Sequence, residues 1–239
     1  MTEGNRSSAG EGPRASLARG NPTGMTDLRA VLFDFGGVLL SSPIDGFRAY
    51  ERTAQLPAGF IQRLNTLDPD TNAWACMERG ELDEATFHAR LEAEARTQGH
   101  AIDARAVLAQ LTGTLRPEMV AVVRTLRTSY RVACLTNNMP PGLGAAMAST
   151  PERAAEIADV MALFAHVVES CKIGARKPEP RFYARACEIV GVAPEHCVFL
   201  DDLGINLKPA RAMGMTTIKV GDPAQAIADL EAVLGHAVQ

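Results

Sequence analysis

The chain has 239 residues, of which 46% are hydrophobic and 22% charged, so it can bury a full apolar core in one large domain or in one domain with an insertion. Its formal net charge of −4, without a long basic run, argues against nucleic acid or an acidic membrane surface as a partner. No apolar run reaches the roughly 18 residues of a membrane helix, and the N-terminus lacks the apolar segment of a secretory signal, which favours a cytoplasmic location.

The first 26 residues differ in composition from the rest of the chain. Residues 1–26 are rich in Gly, Ser, Arg, Pro and Asn and contain few apolar side chains. Burial could not offset the entropy lost in ordering such a segment, so we expect a disordered leader. Met25 could equally be an internal start codon, in which case the leader would not belong to the native protein.

The first predicted strand ends in a candidate reactive residue. Residues 30–33 form an apolar run, which is followed by Asp34 and then by Gly36 and Gly37. Such a run is typical of a strand buried on both faces, and the glycines let the backbone turn sharply. Ligand sites of open α/β sheets lie just outside the carboxyl ends of their strands, which is where Asp34 would lie. Taken alone, an Asp at this place is more often a turn former or a helix cap.

The stretch from residue 43 to 113 lacks strand-like runs and is predicted to be helical. Its apolar residues recur at helical spacing, as in Phe87, Leu91 and Ala95. Four turn signals divide it into four or five short helices, which predicts a small inserted bundle. The signals are Leu56-Pro57, Asp68-Pro69, Arg79-Gly80 and Gln98-Gly99. Some large apolar residues could line a substrate pocket, but the core of the bundle is the favoured interpretation. These residues are Trp74, Met77, Leu82 and Phe87.

From Arg116 onward, predicted strands and helices alternate, which indicates a parallel sheet. Helices are expected from Pro117, in the stretch that ends near Gly191, and near residues 223–235. Four further strands are predicted, and no internal repeat is found. The strands are Val132–Leu135, His166–Val168, Cys197–Leu200 and Thr216–Val220.

The five cysteines are an odd number, and none of them forms a CxxC pair. Two of them, Cys134 and Cys197, lie within apolar runs typical of buried strands. The pattern therefore predicts buried thiols. No local signature pairs a cysteine with a histidine as its catalytic base. The cysteines are Cys76, Cys134, Cys171, Cys187 and Cys197.

Polar residues follow three of the predicted strands. Asp34 follows the first strand, Thr136-Asn137 the second and Asp201-Asp202 the fourth, while Lys177 lies on a loop before a helix. Parallel strands bring their carboxyl ends to one rim, so we expect these side chains to meet. Together they offer what phosphoryl transfer needs, namely a carboxylate nucleophile, a cation site and phosphate ligands. Individually, each could instead be a helix cap or a solvated loop charge.

Four short motifs carry these residues: Phe33-Asp34-Phe35-Gly36-Gly37-Val38, Leu135-Thr136-Asn137, Arg176-Lys177-Pro178-Glu179-Pro180 and Phe199-Leu200-Asp201-Asp202. Their order and spacing resemble the four motifs of the haloacid dehalogenase (HAD) superfamily, over about residues 29–235. Residues 169–180 and 199–209 look especially like the phosphatase domain of soluble epoxide hydrolase. Residues 201–220 are also similar to the N-terminal domain of acyl-CoA dehydrogenase family member 10.

The resemblance implies an α/β fold with a Rossmann-like HAD core, a parallel sheet and an inserted α-helical cap. The core would comprise residues 27–42 and 114–239, and the cap residues 43–113. Asp34 would be the nucleophile that forms an aspartyl-phosphate, with Mg²⁺ as cofactor. The implied Mg²⁺ ligands are Asp34, the backbone carbonyl of Gly36, and Asp202, with Asp201 and Asn206 just outside them. The implied phosphate ligands are Thr136, the backbone at Asn137, and Lys177, which would also neutralise charge on the nucleophile.

One position departs from the family pattern. Members with phosphatase activity usually carry a second Asp two residues after the nucleophile, and here that place is Gly36. The usual general acid is therefore missing, although the backbone carbonyl of Gly36 can still bind metal. Asp45, just beyond the motif, is a candidate substitute acid.

We therefore predict a Mg²⁺-dependent HAD-like hydrolase that acts as a phosphatase on a small phosphorylated metabolite, as a monomer or a homodimer. Two alternatives stay open. Gly36 favours a HAD-fold binding or regulatory domain with weak or no activity. A dehalogenase, in which the same Asp attacks carbon and no Mg²⁺ is needed, is disfavoured by the retained Asp201-Asp202 pair.

Overall fold

The computed structural model describes residues 27–138 and 150–238, so the predicted leader lies outside the described residues. The strands are β1 (Ala30–Phe33), β2 (Arg131–Thr136), β3 (His166–Glu169), β4 (Cys197–Asp201) and β5 (Thr216–Lys219). They form one sheet in the order β3-β2-β1-β4-β5, and every neighbouring pair is parallel. The predicted parallel sheet is confirmed.

Strand β1 lies at the centre of the sheet and is buried along its whole length. Its last residue, Phe33, is in register with Leu200 of β4, and the backbone N–H of Asp34 donates to the Leu200 carbonyl at 2.9 Å. The neighbouring strands β2 and β4 end at Thr136 and Asp201. Because these strands run parallel, their polar ends emerge at the same edge of the sheet.

Along the sequence, five short helices separate β1 from the other strands of the sheet. We call residues 44–111, which contain these helices, the helical segment. They pack around an apolar cluster of their own, which includes Trp74, Met77 and Phe87, while Leu82 packs against it. These residues therefore form the core of the bundle, as favoured by their spacing, and the predicted turn signals fall between consecutive helices. The helices are α1 (Ile44–Thr53), α2 (Phe60–Leu64), α3 (Ala73–Glu78), α4 (Glu84–Thr97) and α5 (Ala104–Leu108), followed by a 3₁₀ turn at Ala109–Leu111.

The remaining helices cover both faces of the sheet. Alternate residues of β1 belong to two separate apolar clusters, with Val31 and Phe33 in one and Ala30 and Leu32 in the other. This division is what a parallel sheet buried on both faces requires. No helix in the described ranges has the length and apolar character needed to cross a membrane. The helices are α6 (Pro117–Leu126), α7 (Pro151–Met161), α8 (Ser170–Ile173), α9 (Pro180–Val190), α10 (Gly204–Ala212) and α11 (Pro223–Leu234), with a 3₁₀ turn at Pro194–His196.

The three predicted core helices, α6, α9 and α11, are confirmed, and each begins with a proline in its first turn. Proline suits this position because the first N–H groups of a helix have no partner inside the helix. Helices α9 and α11 end at Gly191 and Gly235, whose φ angles of 69° and 76° lie in the left-handed region that favours glycine.

The cysteines only partly follow the prediction of burial. Cys76, Cys134 and Cys197 are buried thiols. Cys171 and Cys187 lie on helices at the edge of the core and are only half-buried. The prediction of buried thiols is therefore only partly right, because Cys171 and Cys187 lie on helices that keep part of their surface exposed.

Candidate functional site

A buried lysine bridges two aspartates at the carboxyl edge of the sheet. Lys177 Nζ lies 2.7 Å from Oδ1 of Asp34 and 2.8 Å from Oδ2 of Asp201. The side chain of Lys177 is only 1% exposed, and its ammonium lies 5.6 Å from the centre of the Phe199 ring. Asp34, Lys177 and Asp201, which are far apart in the sequence, therefore form one desolvated charge cluster.

Burial and charge pull the pKa values in this cluster in opposite directions. Burial raises the pKa of Asp34 well above its usual value, against the opposing effect of the Lys177 ammonium. Burial would lower the pKa of Lys177, but the carboxylates of Asp201 and Asp34 outweigh this effect and raise it. Burial, and then the charge of Asp201, also raise the pKa of Asp202. A cation held by these carboxylates would favour their ionised forms.

The donor set at this edge fits a magnesium ion. Asp34, Asp201 and Asp202 each offer a carboxylate oxygen, and these oxygens lie within 4.8 Å of one another. Ser42 donates to Oδ2 of Asp202 at 3.1 Å, and the backbone N–H of Phe35 donates to Oδ1 of Asp34 at 2.6 Å. Asp34 and Asp202 thus each keep a second carboxylate oxygen that could bind a metal ion. A few carboxylates, completed by waters and substrate oxygens, are what Mg²⁺ prefers.

Asp201 differs from the other two aspartates because both of its oxygens are engaged. Its Oδ1 accepts from the Leu203 backbone N–H at 2.8 Å, and Asn206 Nδ2 donates to Oδ1 at 3.0 Å and to Oδ2 at 3.1 Å. The carbonyl of Asn206 in turn accepts from the Tyr183 hydroxyl at 2.6 Å. Asp201 is therefore arranged to orient Lys177, and its expected place, with Asn206, outside the direct metal ligands stays a prediction.

The two glycines of the first motif, Gly36 and Gly37, have different surroundings. Gly37 has a φ of +77°, and a Cβ at this position would overlap the carboxylate of Asp202. Its carbonyl accepts from Nη1 of Arg116 at 2.7 Å. At Gly36, by contrast, no atom of the described residues, other than its two chain neighbours, lies within 4 Å of the place where a Cβ would be. Packing thus requires glycine at position 37, whereas position 36 has open space around it.

The side chain of Asn137 clamps the main chain of Lys177. Asn137 Oδ1 accepts from the Lys177 N–H at 2.8 Å, and Asn137 Nδ2 donates to the Lys177 carbonyl at 2.9 Å. The same Nδ2 donates to Oε2 of Glu78 at 3.0 Å. The Asn137 amide is therefore used to position Lys177, and only the backbone at this residue is left for the predicted contact with phosphate.

Two further candidate site residues, Thr136 and Asp45, differ in their burial. Thr136 is the buried last residue of β2, at the same edge of the sheet as Asp34. The side chain of Asp45, near the start of α1, is 87% exposed, and it pairs with Arg48 at 3.3 Å. The suggested role of Asp45 as a substitute acid stays a prediction.

Several polar residues that support the site lie outside the four motifs and were not predicted from the sequence. Ser42 and Glu78 bond Asp202 and Asn137, which lie 160 and 59 positions away along the chain. The hydroxyl of Ser170 likewise accepts from the backbone N–H of Asn138 at 3.0 Å. Contacts between such distant positions leave no local pattern. The one available signal was the place of Ser42, directly behind the first motif.

The motifs and the fold point to one family. A model of the haloacid dehalogenase-like hydrolases matches residues 28–214. The chain belongs to this family. The HAD-like resemblance drawn from the four motifs is thus confirmed, and the chain is a hydrolase.

Relatives of this HAD-like hydrolase include proteins named as phosphatases. It is 32% identical over 219 residues to acyl-CoA dehydrogenase family member 10 of Mus musculus, covering 89% of the chain and 20% of that protein. It is 29% identical over 220 residues to bifunctional epoxide hydrolase 2 of Mus musculus, covering 87% of the chain and 39% of that protein. The chain therefore spans about a fifth and about two-fifths of these two relatives. It is 33% identical over 199 residues to a phosphatase of Mycobacterium tuberculosis, covering 79% and 85%.

Solved structures share the fold of this HAD-like hydrolase. A HAD-like family hydrolase from Porphyromonas gingivalis has a TM-score of 0.58 at 24% identity, covering 87% of this chain and 98% of that one. A HAD family enzyme from Bacteroides thetaiotaomicron, in complex with magnesium and inorganic phosphate, has a TM-score of 0.55 at 19% identity, covering 82% and 96%. These likenesses confirm the α/β, Rossmann-like fold.

Proposed function

We propose that this HAD-like hydrolase is a Mg²⁺-dependent phosphatase of a small phosphorylated molecule, with Asp34 as the nucleophile. The observation that carries the proposal is the buried contact of Lys177 with Asp34 and Asp201, beside the third carboxylate of Asp202. The phosphatase of Mycobacterium tuberculosis supports it, because the chain covers 85% of that relative. The predicted cytoplasmic location and the monomeric or homodimeric state belong to the same proposal.

In the proposed reaction, the carboxylate of Asp34 attacks phosphorus and the bond to the leaving-group oxygen breaks. The phosphoryl group is then carried by Asp34 as an acyl phosphate, and the alcohol leaves with a proton from a donor in the site. Water next attacks phosphorus, which releases inorganic phosphate and regenerates the carboxylate. Thr136, the backbone at Asn137, and Lys177 would hold the phosphate oxygens, and we propose residues 43–113 as the cap that covers the site.

Charge explains why the proposed reaction needs a divalent cation. Three carboxylates face one ammonium, so the cluster with all carboxylates ionised is net negative and repels a phosphate dianion. Asp34, the backbone carbonyl of Gly36 and Asp202 would hold Mg²⁺, which when bound supplies the positive charge that offsets this repulsion. Lys177 stays paired with Asp34 and neutralises negative charge at the nucleophile.

A panel of phosphomonoesters assayed with Mg²⁺ and with EDTA tests the proposal. We expect turnover of at least one ester with Mg²⁺, loss of turnover with EDTA, and recovery with excess Mg²⁺. Asp34→Asn should lose turnover, whereas Asp229→Asn, the same change on the exposed face of α11, should retain it. If the wild type hydrolyses none of the esters although it binds Mg²⁺, the proposal is wrong.

Gly36 favours a second candidate function, a HAD-fold binding or regulatory domain. No side chain is present at this position to protonate a leaving group, and the surrounding space is open. Under this alternative, calorimetry would detect binding of Mg²⁺ and inorganic phosphate without turnover of any ester. A dehalogenase is less favoured, because Asp202 has no evident task in a reaction that needs no metal.

A further inference from the structure

Two ion pairs join the end of α3 to the loop that carries Lys177. In the first pair α3 supplies the acid, and in the second it supplies the base. Glu78 accepts a hydrogen bond from Nε of Arg176, and Nη1 of Arg79 lies 3.2 Å from Oε1 of Glu179. All four side chains are at most 20% exposed. The partners are 98 and 100 positions apart in the sequence, so these pairs hold the helical segment against the core rather than stabilising either part internally.

The backbones of the two parts also approach closely at this place. A Cβ at Gly80 would lie 2.8 Å from the carbonyl oxygen of Cys171, and the φ of Gly80 is +75°. Nη1 of Arg176 donates to the Pro69 carbonyl at 3.1 Å. The end of α3 is therefore seated directly on the core, next to the residue that precedes Lys177.

Glu78 has a second contact that reaches toward the site. Its Oε2, the same oxygen that bonds Arg176, accepts from Asn137 Nδ2 at 3.0 Å. The amide of Asn137 in turn holds both the N–H and the carbonyl of Lys177. One carboxylate oxygen of the helical segment therefore contacts both the residue before Lys177 and the side chain that clamps Lys177.

We propose that Glu78 is a positioning residue, which couples the seating of the helical segment on the core to the placement of Lys177. The proposal rests on the proposed function, because it assigns Lys177 a task in phosphoryl transfer. Glu78 acts through Asn137 and Arg176 rather than by touching the reacting atoms. Without Glu78, the largely buried Arg176 loses its counter-charge and Asn137 Nδ2 loses one of its two acceptors.

Such a loss should affect kcat more than KM. The ammonium of Lys177 lies 2.7 and 2.8 Å from its two carboxylates, and charge stabilisation in a transition state depends steeply on such distances. We expect Glu78→Ala to lower kcat about 10-fold, as for the loss of one hydrogen bond to a charged group, with little change in KM. Glu78→Gln should recover most of this loss, because its amide oxygen can still accept from Asn137.

Hydrogen exchange at the Lys177 amide gives a readout that does not require turnover. This N–H donates to Asn137 Oδ1, so Glu78→Ala should speed its exchange while β4 and α9 keep wild-type exchange. Glu92→Ala is the matched control, because Glu92 also lies in the helical segment but pairs with Arg96 of the same helix. If Glu78→Ala does not fold, Glu78→Met takes its place, because Met keeps the length and packing of the side chain in α3 but has no carboxylate oxygen to bond Asn137 or Arg176.

The proposal is overturned if Glu78→Ala leaves both the exchange of the Lys177 N–H and kcat unchanged. It is also overturned if Glu92→Ala has the same effects, or if exchange rises equally throughout the core, since either result would mean a loss of stability only. If no phosphomonoester is hydrolysed by the wild type, the proposed function fails, whereas the exchange of the Lys177 amide still decides whether Glu78 positions it.

Discussion

Replacing Gly36 by Asp should raise turnover on alkyl phosphates far more than on aryl phosphates. The structure leaves room for the change, because within residues 27–138 and 150–238 only the two chain neighbours come within 4 Å of the place of a Cβ at this residue. A general acid contributes about 10²–10⁴-fold when the leaving group needs a proton. An alkoxide needs that proton, whereas an aryl oxide leaves as a stable anion. We therefore expect a gain of about 10²-fold or more on alkyl phosphates and little change on aryl phosphates.

The neighbouring glycine provides the matched control for the steric part of this reasoning. Gly36→Ala should stabilise the protein by about 0.4–1 kcal/mol, because it restricts the unfolded chain without a clash in the folded one. Gly37→Ala should destabilise it by at least about 1–2 kcal/mol, the cost of a left-handed backbone for a residue with a Cβ. The overlap with Asp202 adds to this cost.

The activity assay compares kcat/KM for an aryl and an alkyl phosphate at saturating Mg²⁺. Urea denaturation measures the free energy of unfolding of Gly36→Ala and Gly37→Ala relative to the wild type. The deciding quantity is the ratio of the two gains produced by Gly36→Asp. A wild type that hydrolyses alkyl phosphates quickly, and loses activity when the carboxylate is introduced, would refute the missing acid and point to another donor such as Asp45. Equal stabilities of Gly36→Ala and Gly37→Ala would refute the steric argument.

Four further changes test the charge cluster and the helical segment. Asp34→Asn should abolish turnover while unfolding stays cooperative, and wild-type kcat on any ester would contradict this. Millimolar Mg²⁺ should raise the Tm of the wild type in scanning fluorimetry, and Asp202→Asn should remove this rise. Lys177→Met should lower the free energy of unfolding, measured in urea, by about 3–5 kcal/mol, because Asp34 and Asp201 lose their buried counter-charge. A decrease below about 1 kcal/mol would argue against a buried charge cluster. Glu51→Ala should cost about 1–3 kcal/mol, because buried Glu51 accepts from two backbone N–H groups at the start of α2.

Strands β1, β2 and β4 are predictable from the sequence because each is a short, mostly apolar run. Strands β3 and β5 are shorter on apolar residues, but both contain neighbouring β-branched residues, which favour a strand. Their bounds are less predictable where a polar residue continues the ladder. Thr136 and Asp201 belong to β2 and β4, although their side chains suggest that the strands have ended. The backbone of Asp201 still pairs in register with Lys219 of β5, so backbone hydrogen bonding and not side-chain polarity sets this boundary.

Three helices, α7, α8 and α10, escape the sequence pattern; α8 is a single turn, and the other two escape for different reasons. Helix α7 buries only Ile157 and Val160, so its apolar stripe is too narrow to give a clear helical period. Helix α10 begins at Gly204 and contains Pro209, both of which disfavour a helix, yet it packs closely on β4 and β5. Tertiary packing outweighs local propensity in α10.

The members of the site could be named from their motifs, but not their contacts. The motif around Lys177 places this residue on a loop before a helix, whereas its burial between two aspartates follows from the folded chain. The clamp formed by Asn137, and its link to Glu78, depend on positions 40 and 59 residues away. Such pairings arise when the helical segment and the core close on each other, which no local pattern in the sequence encodes.

The central place of β1 has a consequence for synthesis on the ribosome. Strand β1 ends at Phe33, but its two partners begin at Arg131 and Cys197. At about 5–20 residues per second, the chain from β1 to β4 takes roughly 10–30 s to emerge. The helical segment can gather around its own apolar cluster during this interval, whereas β1 keeps both edges unpaired until β2 emerges and one edge unpaired until β4 follows. Ribosome-associated chaperones should therefore engage the nascent chain at β1.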